Sequence, residues 1–202
     1  MTPETIDRFH REYYRAGVQF GTYWRGTKIV KAPTDMWVCQ QIITDCRPDA
    51  IVETGTAWGG SALFFADMFD LFGHGEVITV DNRRMGTVTH PRITYIDGDS
   101  VSRAGAVADI VALRSCMVVL DSDHRRDHVV AELDAYGPLV TSGQYLVVED
   151  TNLGRLAGAE FAGNGPADAL DEWLPDHPEF VADASCERHG LTMNPGGWLR
   201  RS

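Results

Sequence analysis

The chain has 202 residues, of which 44% are hydrophobic and 23% are charged, and these values fit one α/β domain of ordinary size. The formal net charge of -11 argues against a nucleic-acid partner, because binding to a phosphate backbone normally needs a basic surface. No apolar run reaches the length of a membrane span and the first residues lack the features of a secretion signal, so we expect a cytoplasmic protein without a membrane partner.

The first 48 residues predict two helices, near residues 5–16 and 34–46, with an irregular stretch between them. The aromatic residues of this segment could form a lid, a dimer contact or part of the core, and the sequence leaves these alternatives open for Tyr13, Tyr14, Tyr23 and Trp24. We predict that residues 1–48 are an N-terminal helical lid on the substrate side. Residues 49–202 would form the main part of what is a single globular domain overall.

From residue 49 onward, short apolar runs alternate with helical patterns, which is typical of a parallel sheet with helices on both faces. We predict strands near residues 50–53, 76–81, 92–96, 116–121 and 144–149, and helices near residues 60–72, 102–112, 126–136 and 167–174. The fold class is therefore predicted to be α/β and Rossmann-like. A glycine-containing stretch, residues 153–166, is expected to be a mobile loop beside the ligand crevice.

The cysteines lack metal-binding or redox spacing. Cys39, Cys46, Cys116 and Cys186 form no C-x-x-C pair, so the sequence predicts neither a zinc site nor a thioredoxin-like centre. We expect reduced cysteines that pack in the core.

A glycine-rich turn follows the first predicted strand of the alternating region, in the sequence Glu53-Thr-Gly55-Thr-Ala-Trp-Gly59-Gly60-Ser61. The spacing does not match the G-x-G-x-x-G dinucleotide fingerprint, and Glu53 would repel a pyrophosphate at close range. An acid at this position suits a ligand with a cationic amino-acid end. The turn therefore favours S-adenosylmethionine over NAD, and an ordinary strand–turn–helix without a ligand is the alternative.

Acids also end the other predicted strands. Asp81 ends the second one, where two carboxylate oxygens can hold a ribose diol, and Asp97 or Asp99, Asp121 and Glu149 end the later ones. Because the carboxyl ends of parallel strands meet at one edge of a sheet, we expect these side chains to converge on one crevice.

A metal site is predicted where the fourth and fifth strands end. Asp121, Glu149 and Asp150 provide an oxygen-only set that suits a hard divalent cation such as Mg²⁺, with positions left for water or substrate. Caps at the strand ends are the alternative interpretation.

His124 lies three residues after Asp121, where a turn can direct its imidazole toward the metal. Its ordinary pKa near 6.5 suits a general base at neutral pH, and it could accept the proton of a substrate hydroxyl. Asp123 is the rival base. A structural histidine that only orients a carboxylate is the third alternative.

Several blocks of sequence, in order along the chain, carry a resemblance to a known family. They are Trp24-Arg-Gly26, Lys31-x-Pro33-x-Asp35-x-Trp37-x-x-Gln40, Glu53-Thr-Gly55-Thr, Gly59-Gly60-Ser61, Leu120-Asp121-Ser-Asp-His124, Glu149-Asp150-Thr151, Gly165-Pro166-x-x-Ala169-x-x-x-Trp173-Leu174 and Leu191-Thr-Met-Asn194-Pro195-Gly196-Gly197-Trp198-Leu199. Together they resemble the cephalosporin hydroxylase family, from about residue 20 to the end of the chain. Despite its name, this family is similar to class I S-adenosylmethionine-dependent methyltransferases, including rhamnosyl and macrolide-sugar O-methyltransferases that use Mg²⁺.

The resemblance implies O-methylation by S-adenosylmethionine with Mg²⁺. Residues 49–202 would be the class I methyltransferase domain, and two more strands within residues 179–200 would give a seven-stranded, mostly parallel sheet with the last strand antiparallel. The implied cofactor contacts are Glu53, Gly55 and Thr56 at the methionine end, Gly59 and Ser61 in the same turn, Asp81 at the ribose, and Asp99 and Ser100 on the adenine side. Asp121, Glu149 and Asp150 would bind the metal and His124 would take the proton.

This sequence also departs from the family pattern. Ala57 occupies the middle of the glycine turn, and the chain is short before the first strand, which leaves fewer residues to cover an acceptor. The expected partner is a small-molecule acceptor, a sugar or a glycosylated natural product, with a homo-oligomer as an open alternative to a monomer. A catalytically silent binding module and a metal-dependent hydroxylase are the rival functions, but a redox iron site would need two histidines with a carboxylate, and only His124 lies near these acids.

Overall fold

The computed structural model describes residues 1–86 and 88–202. Its helices are α1 Pro3–Ala16, α2 Pro33–Cys46, α3 Gly60–Phe72, α4 Ser100–Val111, α5 Arg126–Tyr136 and α6 Pro166–Trp173. Its strands are β1 Tyr23–Trp24, β2 Thr27–Lys28, β3 Ala50–Thr54, β4 Glu76–Asp81, β5 Ile93–Asp97, β6 Cys116–Leu120, β7 Tyr145–Val148, β8 Phe180–Ala182 and β9 Trp198–Arg201. The predicted helices and strands are all present, with ends shifted by two residues or fewer.

The main sheet has seven strands in the order β5-β4-β3-β6-β7-β9-β8. Neighbouring strands from β5 to β7 are parallel, whereas β9 pairs antiparallel with both β7 and β8. The expectation of a seven-stranded, mostly parallel sheet whose last strand is antiparallel is therefore confirmed.

Helices cover both faces of this sheet. One hydrophobic cluster joins the sheet to α4, α5 and α6 through residues such as Val107, Leu133 and Trp173. The other joins the opposite face to α2 and α3 through residues such as Ile43 and Phe65. Since β3 and β6 are buried along their whole length, both faces of these strands need apolar side chains, which explains their continuous apolar sequences.

The cysteines behave as predicted. All four are free thiols within the described residues, and Cys39, Cys116 and Cys186 are buried while Cys46 is half-buried. Burial raises the pKa of the Cys116 thiol to about 12, so this thiol is protonated and packs as an apolar group.

A small hairpin between α1 and α2 was not predicted. Strands β1 and β2 pair antiparallel, with Trp24 opposite Thr27, around a two-residue turn at Arg25 and Gly26. Both turn residues have positive φ, 48° and 81°, as expected for the turn that joins tightly paired strands. The two-residue strands are too short to show alternation in the sequence, and for this reason the segment was interpreted as irregular.

No helix of the described residues is long and apolar enough to cross a lipid bilayer.

Candidate active site

Positions 121 and 149 are neighbours at the carboxyl edge of the sheet because the hydrogen-bond pattern continues past the strand ends. The backbone N–H of Asp121 donates to the carbonyl of Thr54 at 3.1 Å, and that of Glu149 donates to the carbonyl of Leu120 at 3.0 Å. Each residue after a strand is thereby fixed to the end of the adjacent strand. The sheet itself brings the acidic strand ends together, as expected for parallel strands.

Asp121, His124 and Asp150 form an acidic cluster at this edge. One potential ligand atom from each lies within 4.8 Å of the others, and His124 Nε2 is 3.3 Å from Asp150 Oδ2. Asp150 has a φ of 56°, and its backbone N–H donates to Asn194 Oδ1 at 2.8 Å. This bond holds Asp150 in a left-handed conformation that directs its carboxylate toward His124. Two carboxylates with an imidazole suit a divalent cation.

Glu149, the third predicted metal ligand, lies beside this cluster and contacts a lysine. Lys31 Nζ is 3.0 Å from Glu149 Oε1 and 2.5 Å from Asp121 Oδ2, with only 4% of the lysine side chain exposed. Burial would lower the pKa of Lys31, but the carboxylates of Asp121, Glu149 and Glu53 raise that pKa well above its ordinary value. A buried ammonium group therefore joins two of the three predicted ligands.

His124 and Asp123 occupy different surroundings. The ring of His124 lies edge-on to the ring of Phe161, with 6.1 Å between the ring centroids. The carboxylate of Asp123 instead accepts bonds from the guanidinium Nε of Arg125 at 2.9 and 3.0 Å and from its backbone N–H at 3.0 Å. Chiefly through the Arg125 side chain, these contacts lower the pKa of Asp123 to about 2.

A broad cavity of about 560 Å³ lies on one side of the acidic cluster. Asp81, Asp99, Ser100 and Asp121 are among the residues that line it. Asp81 accepts the backbone N–H groups of Ala57 and Arg83, each at 2.7 Å, and so binds the turn after β3 to the end of β4. Asp99 caps α4 by accepting the backbone N–H of Ser102 at 2.9 Å. Four of the sequence-predicted cofactor residues, Gly55, Asp81, Asp99 and Ser100, thus line one cavity.

Glu53 lies below the glycine turn and is fully buried. Its Oε2 accepts the hydroxyl of Thr79 at 2.7 Å, and the hydroxyls of Thr79 and Thr56 are 2.6 Å apart. Oε1 has no hydrogen-bond partner among the described residues, and burial raises the pKa of Glu53 to about 7 although Lys31 opposes the rise. A hydrogen-bonded chain therefore runs from Glu53 through Thr79 to Thr56.

Gly55 is required by the protein itself. It has a φ of +88°, and a Cβ at this position would lie 1.9 Å from the carbonyl oxygen of Asp121. The contact of Gly55 with the methionine end of a cofactor, which the family resemblance implies, stays a prediction. The close neighbour of Gly55 in the structure is the chain after β6, so the glycine fixes where Asp121 lies.

A narrow cavity of about 170 Å³ adjoins the broad one. Gly60 and Ser61, in the first turn of α3, line it together with Lys31, Asp121, His124 and Asp150. Gly59 precedes this helix with a φ of 79°, and within the described part of the chain no side chain caps the helix. Its first N–H groups are available to an anion, as is usual at an uncapped helix N-terminus.

An aromatic cavity of about 370 Å³ adjoins the narrow one. Among its lining residues are Tyr13, Tyr14, Gln19, Phe20, Lys31, His124, Glu149, Asp150, Leu153, Gly158, Glu160 and Phe161. They come from α1 and the turn after it, from the segment between β2 and α2, from the chain after β6 and β7, and from the predicted loop at residues 153–166, which does lie beside the crevice. The hydroxyl of Tyr14 donates to Asp150 Oδ1 at 3.2 Å. The first helix therefore contacts the acidic cluster directly.

The sequence did not predict that several other residues of this site contact the acidic side chains. Lys31, Tyr14 and Asn194 lie far in sequence from the acids that they contact, and no local spacing links them. Lys31 and Asn194 do belong to the blocks that carried the family resemblance, and that was the one signal available. Of the other aromatic residues considered, Tyr23 is 63% exposed, and Trp24 donates its indole N–H to Asp67 at 2.7 Å.

Comparisons with known proteins give a consistent result. Residues 16–202 match the family profile described as "Rhamnosyl O-methyltransferase/CmcI". The chain is 34% identical over 212 residues to a rhamnosyl O-methyltransferase of Mycobacterium leprae, covering 99% of this chain and 92% of that protein. It is 32% identical over 208 residues to a rhamnosyl O-methyltransferase of Mycobacterium tuberculosis, covering 97% of this chain and 84% of that protein.

Solved structures show the same fold. A CmcI structure with Mg and SAM aligns with a TM-score of 0.69 at 21% identity, covering 91% of this chain and 77% of that one. A structure of the MycE methyltransferase from the mycinamycin biosynthetic pathway, in complex with Mg, SAH and mycinamycin VI, aligns with a TM-score of 0.55 at 22% identity, covering 81% of this chain and 56% of that one.

Proposed function

Because this chain belongs to the rhamnosyl O-methyltransferase/CmcI family, we propose that it is an S-adenosylmethionine- and Mg²⁺-dependent O-methyltransferase. Its substrate is proposed to be a hydroxyl group of a sugar or of a glycosylated small molecule. Family membership fixes the class of enzyme, and the α/β fold with its seven-stranded sheet agrees with it. The roles of individual residues are our proposals.

The arrangement of the three cavities supports this function most strongly. The broad and narrow cavities share Gly55, Ala57 and Asp121, and the narrow and aromatic cavities share Lys31, His124 and Asp150. A donor in the first and an acceptor in the third would therefore meet at the acidic cluster. Such positioning is a large part of catalysis when the methyl donor is already activated.

We assign the broad and narrow cavities to S-adenosylmethionine. Asp81 would accept the ribose hydroxyls, with Asp99 and Ser100 beside the adenine. The uncapped first turn of α3 at Gly59, Gly60 and Ser61 would bind the methionine carboxylate. Glu53 is buried below the turn, so we assign it an indirect role in which it orients Thr56 through Thr79.

We assign the metal to Asp121, Glu149 and Asp150. Their oxygens suit a hard divalent cation, and burial raises the pKa of Asp121 and of Glu149, so a positive charge nearby favours the ionised form of these carboxyl groups. When bound, Mg²⁺ supplies Lewis acidity that lowers the pKa of an acceptor hydroxyl. His124 belongs to the same cluster, but we assign it as the base and not as a ligand, because a ring nitrogen that binds a metal has no lone pair left to accept a proton.

His124 is our proposed general base. Its Nε2 faces the acidic cluster, and its ring lines the aromatic cavity where the acceptor would bind. Asp123 is the weaker candidate, because a carboxyl with a pKa of about 2 that is paired to Arg125 is a poor proton acceptor. We propose that the acceptor hydroxyl gives its proton to His124 as its oxygen bonds to the methyl carbon, while the bond between that carbon and the sulfonium sulfur breaks and the demethylated donor leaves as a neutral thioether.

The aromatic cavity suits a polyhydroxylated acceptor. Tyr13 OH and Gln19 Oε1 are buried atoms without a hydrogen-bond partner among the described residues, and both residues line this cavity. Buried polar atoms without partners are costly in the absence of a ligand. One hydroxyl donor and one amide acceptor beside Phe20 and Phe161 would bind a sugar by hydrogen bonds and by ring contact.

The function is tested by methyl transfer. We expect the purified protein to add one methyl group, read as a mass gain, to a member of a panel of rhamnosides and other glycosylated natural products with S-adenosylmethionine and Mg²⁺ present. Calorimetry with S-adenosylmethionine and its demethylated product, with and without Mg²⁺, is the companion measurement. Binding of neither compound would remove the enzyme assignment.

The two rival functions lack structural support. A redox iron centre would need a second histidine, but His124 is the one histidine that joins Asp121 and Asp150 in the cluster found among residues 1–86 and 88–202. A silent binding module would not need the acidic cluster and the adjoining aromatic cavity. A cytoplasmic location, a homo-oligomer and the role of residues 1–48 as a lid stay predictions.

A further inference from the structure

The proposed function gives no role to the buried ammonium group of Lys31. The chain has only two lysines, Lys28 and Lys31, and Lys31 is 6% exposed. It lies between β2 and α2, and its Nζ contacts Asp121 at 2.5 Å and Glu149 at 3.0 Å. Burying an ammonium group is costly unless it is paired, and here two carboxylates pair with it. The fold thus places a permanent cation inside the acidic edge.

The formal charges of the three proposed metal ligands and of Lys31 can be added. Asp121, Glu149 and Asp150 would together carry three negative charges, and Lys31 reduces this to two. A divalent cation then makes the filled site neutral. Without Lys31 the filled site would keep one negative charge, which would oppose the loss of a proton from a bound hydroxyl.

The oxygens of the two carboxylates leave room for both cations. Lys31 contacts Asp121 Oδ2 and Glu149 Oε1, which leaves Asp121 Oδ1 and Glu149 Oε2 for other contacts. Asp150, the third proposed ligand, lies 3.3 Å from His124 Nε2 through its Oδ2, whereas the carboxylate contacts of Lys31 are with Asp121 and Glu149. The ammonium group and a metal ion can therefore share these carboxylates without occupying the same position.

We propose that Lys31 is a resident counter-cation of the metal site. It stays beside Asp121 and Glu149 when Mg²⁺ binds, lowers the affinity of the site for the metal and makes the filled site electrically neutral. Lys31 is a positioning residue in this account, since it acts through the carboxylates. The inference rests on the proposed function, because it takes the metal ligands from there.

The test compares Mg²⁺ binding to metal-free protein, measured by calorimetry, for the wild type and for Lys31→Met. We expect Lys31→Met to bind Mg²⁺ at least about tenfold more tightly, since one positive charge near the metal has been removed. The metal-free variant should have a lower Tm than the wild type and should gain more from Mg²⁺. Unchanged or weaker Mg²⁺ affinity in this variant overturns the proposal, whereas a merely structural lysine would lower stability without tightening the metal.

Lys28→Met is the matched control. It removes the same charge from the same short segment, but the Nζ of Lys28 lies 4.2 Å above the ring of Trp58. We expect its Mg²⁺ affinity to stay within about twofold of the wild type, because Lys28 is half-buried, contacts none of the proposed metal ligands among the described residues, and has a charge that solvent can screen. An equal tightening in Lys28→Met would mean that net charge alone is responsible, and would also overturn the proposal.

A measurement on the wild type covers the case in which Lys31→Met and a second variant, Lys31→Gln, fail to fold. With ¹⁵N-labelled lysine, a buried and paired ammonium group exchanges its protons slowly and gives a resolved signal. We expect the Lys31 signal to persist at saturating Mg²⁺, and its loss would show that the metal displaces the lysine. If the wild type binds no Mg²⁺ at all, the metal assignment of the proposed function fails. If the wild type binds Mg²⁺ as tightly as Lys31→Met does, only the role of Lys31 fails.

Discussion

His124 and Asp123 are close in sequence but differ in the contacts that set their chemistry. His124 lies against Asp150, at the edge of the aromatic cavity, whereas Asp123 is paired with Arg125. We expect His124→Ala to lower kcat by about 10²–10⁴-fold with little change in donor affinity, since general-base catalysis typically contributes that much. Asp123→Asn should lower kcat by less than about tenfold. Steady-state kinetics of both variants decides, and the reverse order would assign the base to Asp123.

The hydroxyl group of Tyr13 gives a second prediction for a single residue. Its buried hydroxyl has no partner among the described residues, so Tyr13→Phe removes an unsatisfied polar atom from the free protein. We expect the Tm of the free variant to be equal to or above that of the wild type. The KM for a hydroxylated acceptor should rise by about tenfold, because the acceptor loses a hydrogen bond in the cavity. A lower Tm with an unchanged KM would assign Tyr13 to the core instead.

Asp35 makes stability depend on pH. It is 2% exposed and accepts the backbone N–H of Met193 at 2.8 Å, yet burial raises its pKa from 3.8 to about 7. Between these values the folded state holds a proton that the unfolded state has lost. The free energy of unfolding therefore falls as the pH rises from about 4 to about 7, by at most roughly 1.4 kcal/mol per pH unit from this group.

Asp35→Asn tests this account, since the amide cannot ionise. The stability difference between variant and wild type, measured by urea unfolding, should move in favour of the variant as the pH rises from about 4 to about 7. Glu53, whose pKa burial also raises to about 7, contributes equally to both proteins and cancels in the difference. A difference that does not change with pH would contradict the assignment to Asp35.

At the scale of secondary-structure elements, the turn after β3 determines where the end of β6 lies. Gly55→Ala would force a Cβ into the carbonyl of Asp121, 1.9 Å away, at a φ of +88°. Gly73 has a similar φ of +74°, but a Cβ there meets nothing within 4 Å among the described residues. We expect Gly73→Ala to cost about 1 kcal/mol of stability from backbone strain, and Gly55→Ala about 3 kcal/mol or more with loss of Mg²⁺ binding. Equal losses of stability in the two variants would show that the chain around Gly55 and Asp121 can move apart to accommodate the Cβ.

The strands β3 to β7 of the main sheet and the helices between them were predictable from local sequence patterns. The apolar sequences of β3, β6 and β7 are bounded by polar turns, and the helix patterns between them are long enough to show their period. The hairpin β1–β2 carries no comparable signal because each strand has two residues. The strands β8 and β9 came from the family resemblance, since three or four residues do not establish a pattern.

At the scale of the whole molecule, the acids of the candidate site were predictable and their partners were not. The position of Asp121, Glu149 and Asp150 follows from parallel strands that end at one edge. The contacts of Lys31, Tyr14 and Asn194 depend on how α1, the segment after β2 and the segment before β9 pack on that edge. Those contacts join residues 44 to 136 positions apart, and no sequence spacing encodes such distances.

Removing the metal should weaken acceptor binding much more than donor binding. Of the two cavities assigned to the donor, the broad one shares only Asp121 with the proposed metal ligands and the narrow one shares Asp121 and Asp150, whereas the aromatic cavity assigned to the acceptor is lined by Glu149 and Asp150. We expect a chelator to abolish methyl transfer and to weaken acceptor binding by more than about tenfold, while the affinity for the demethylated donor changes by less than about threefold. Calorimetry with and without EDTA measures both, and a donor that depends equally on the metal would contradict this division.

The hydrogen bond from the backbone N–H of Asp150 to the side chain of Asn194 also bears on the order in which parts of the protein fold. The backbone of Asp150 adopts its left-handed form against a side chain 44 positions later, just before the antiparallel strand that inserts between β7 and β8. Asn194 is synthesised after strands β3 to β7, so in a growing chain this bond can form only once those strands have been made. A nascent chain can thus form most of its sheet before Asp150 is held in position to bind a metal. The onset of Mg²⁺ binding would then report that folding of the newly made chain is complete.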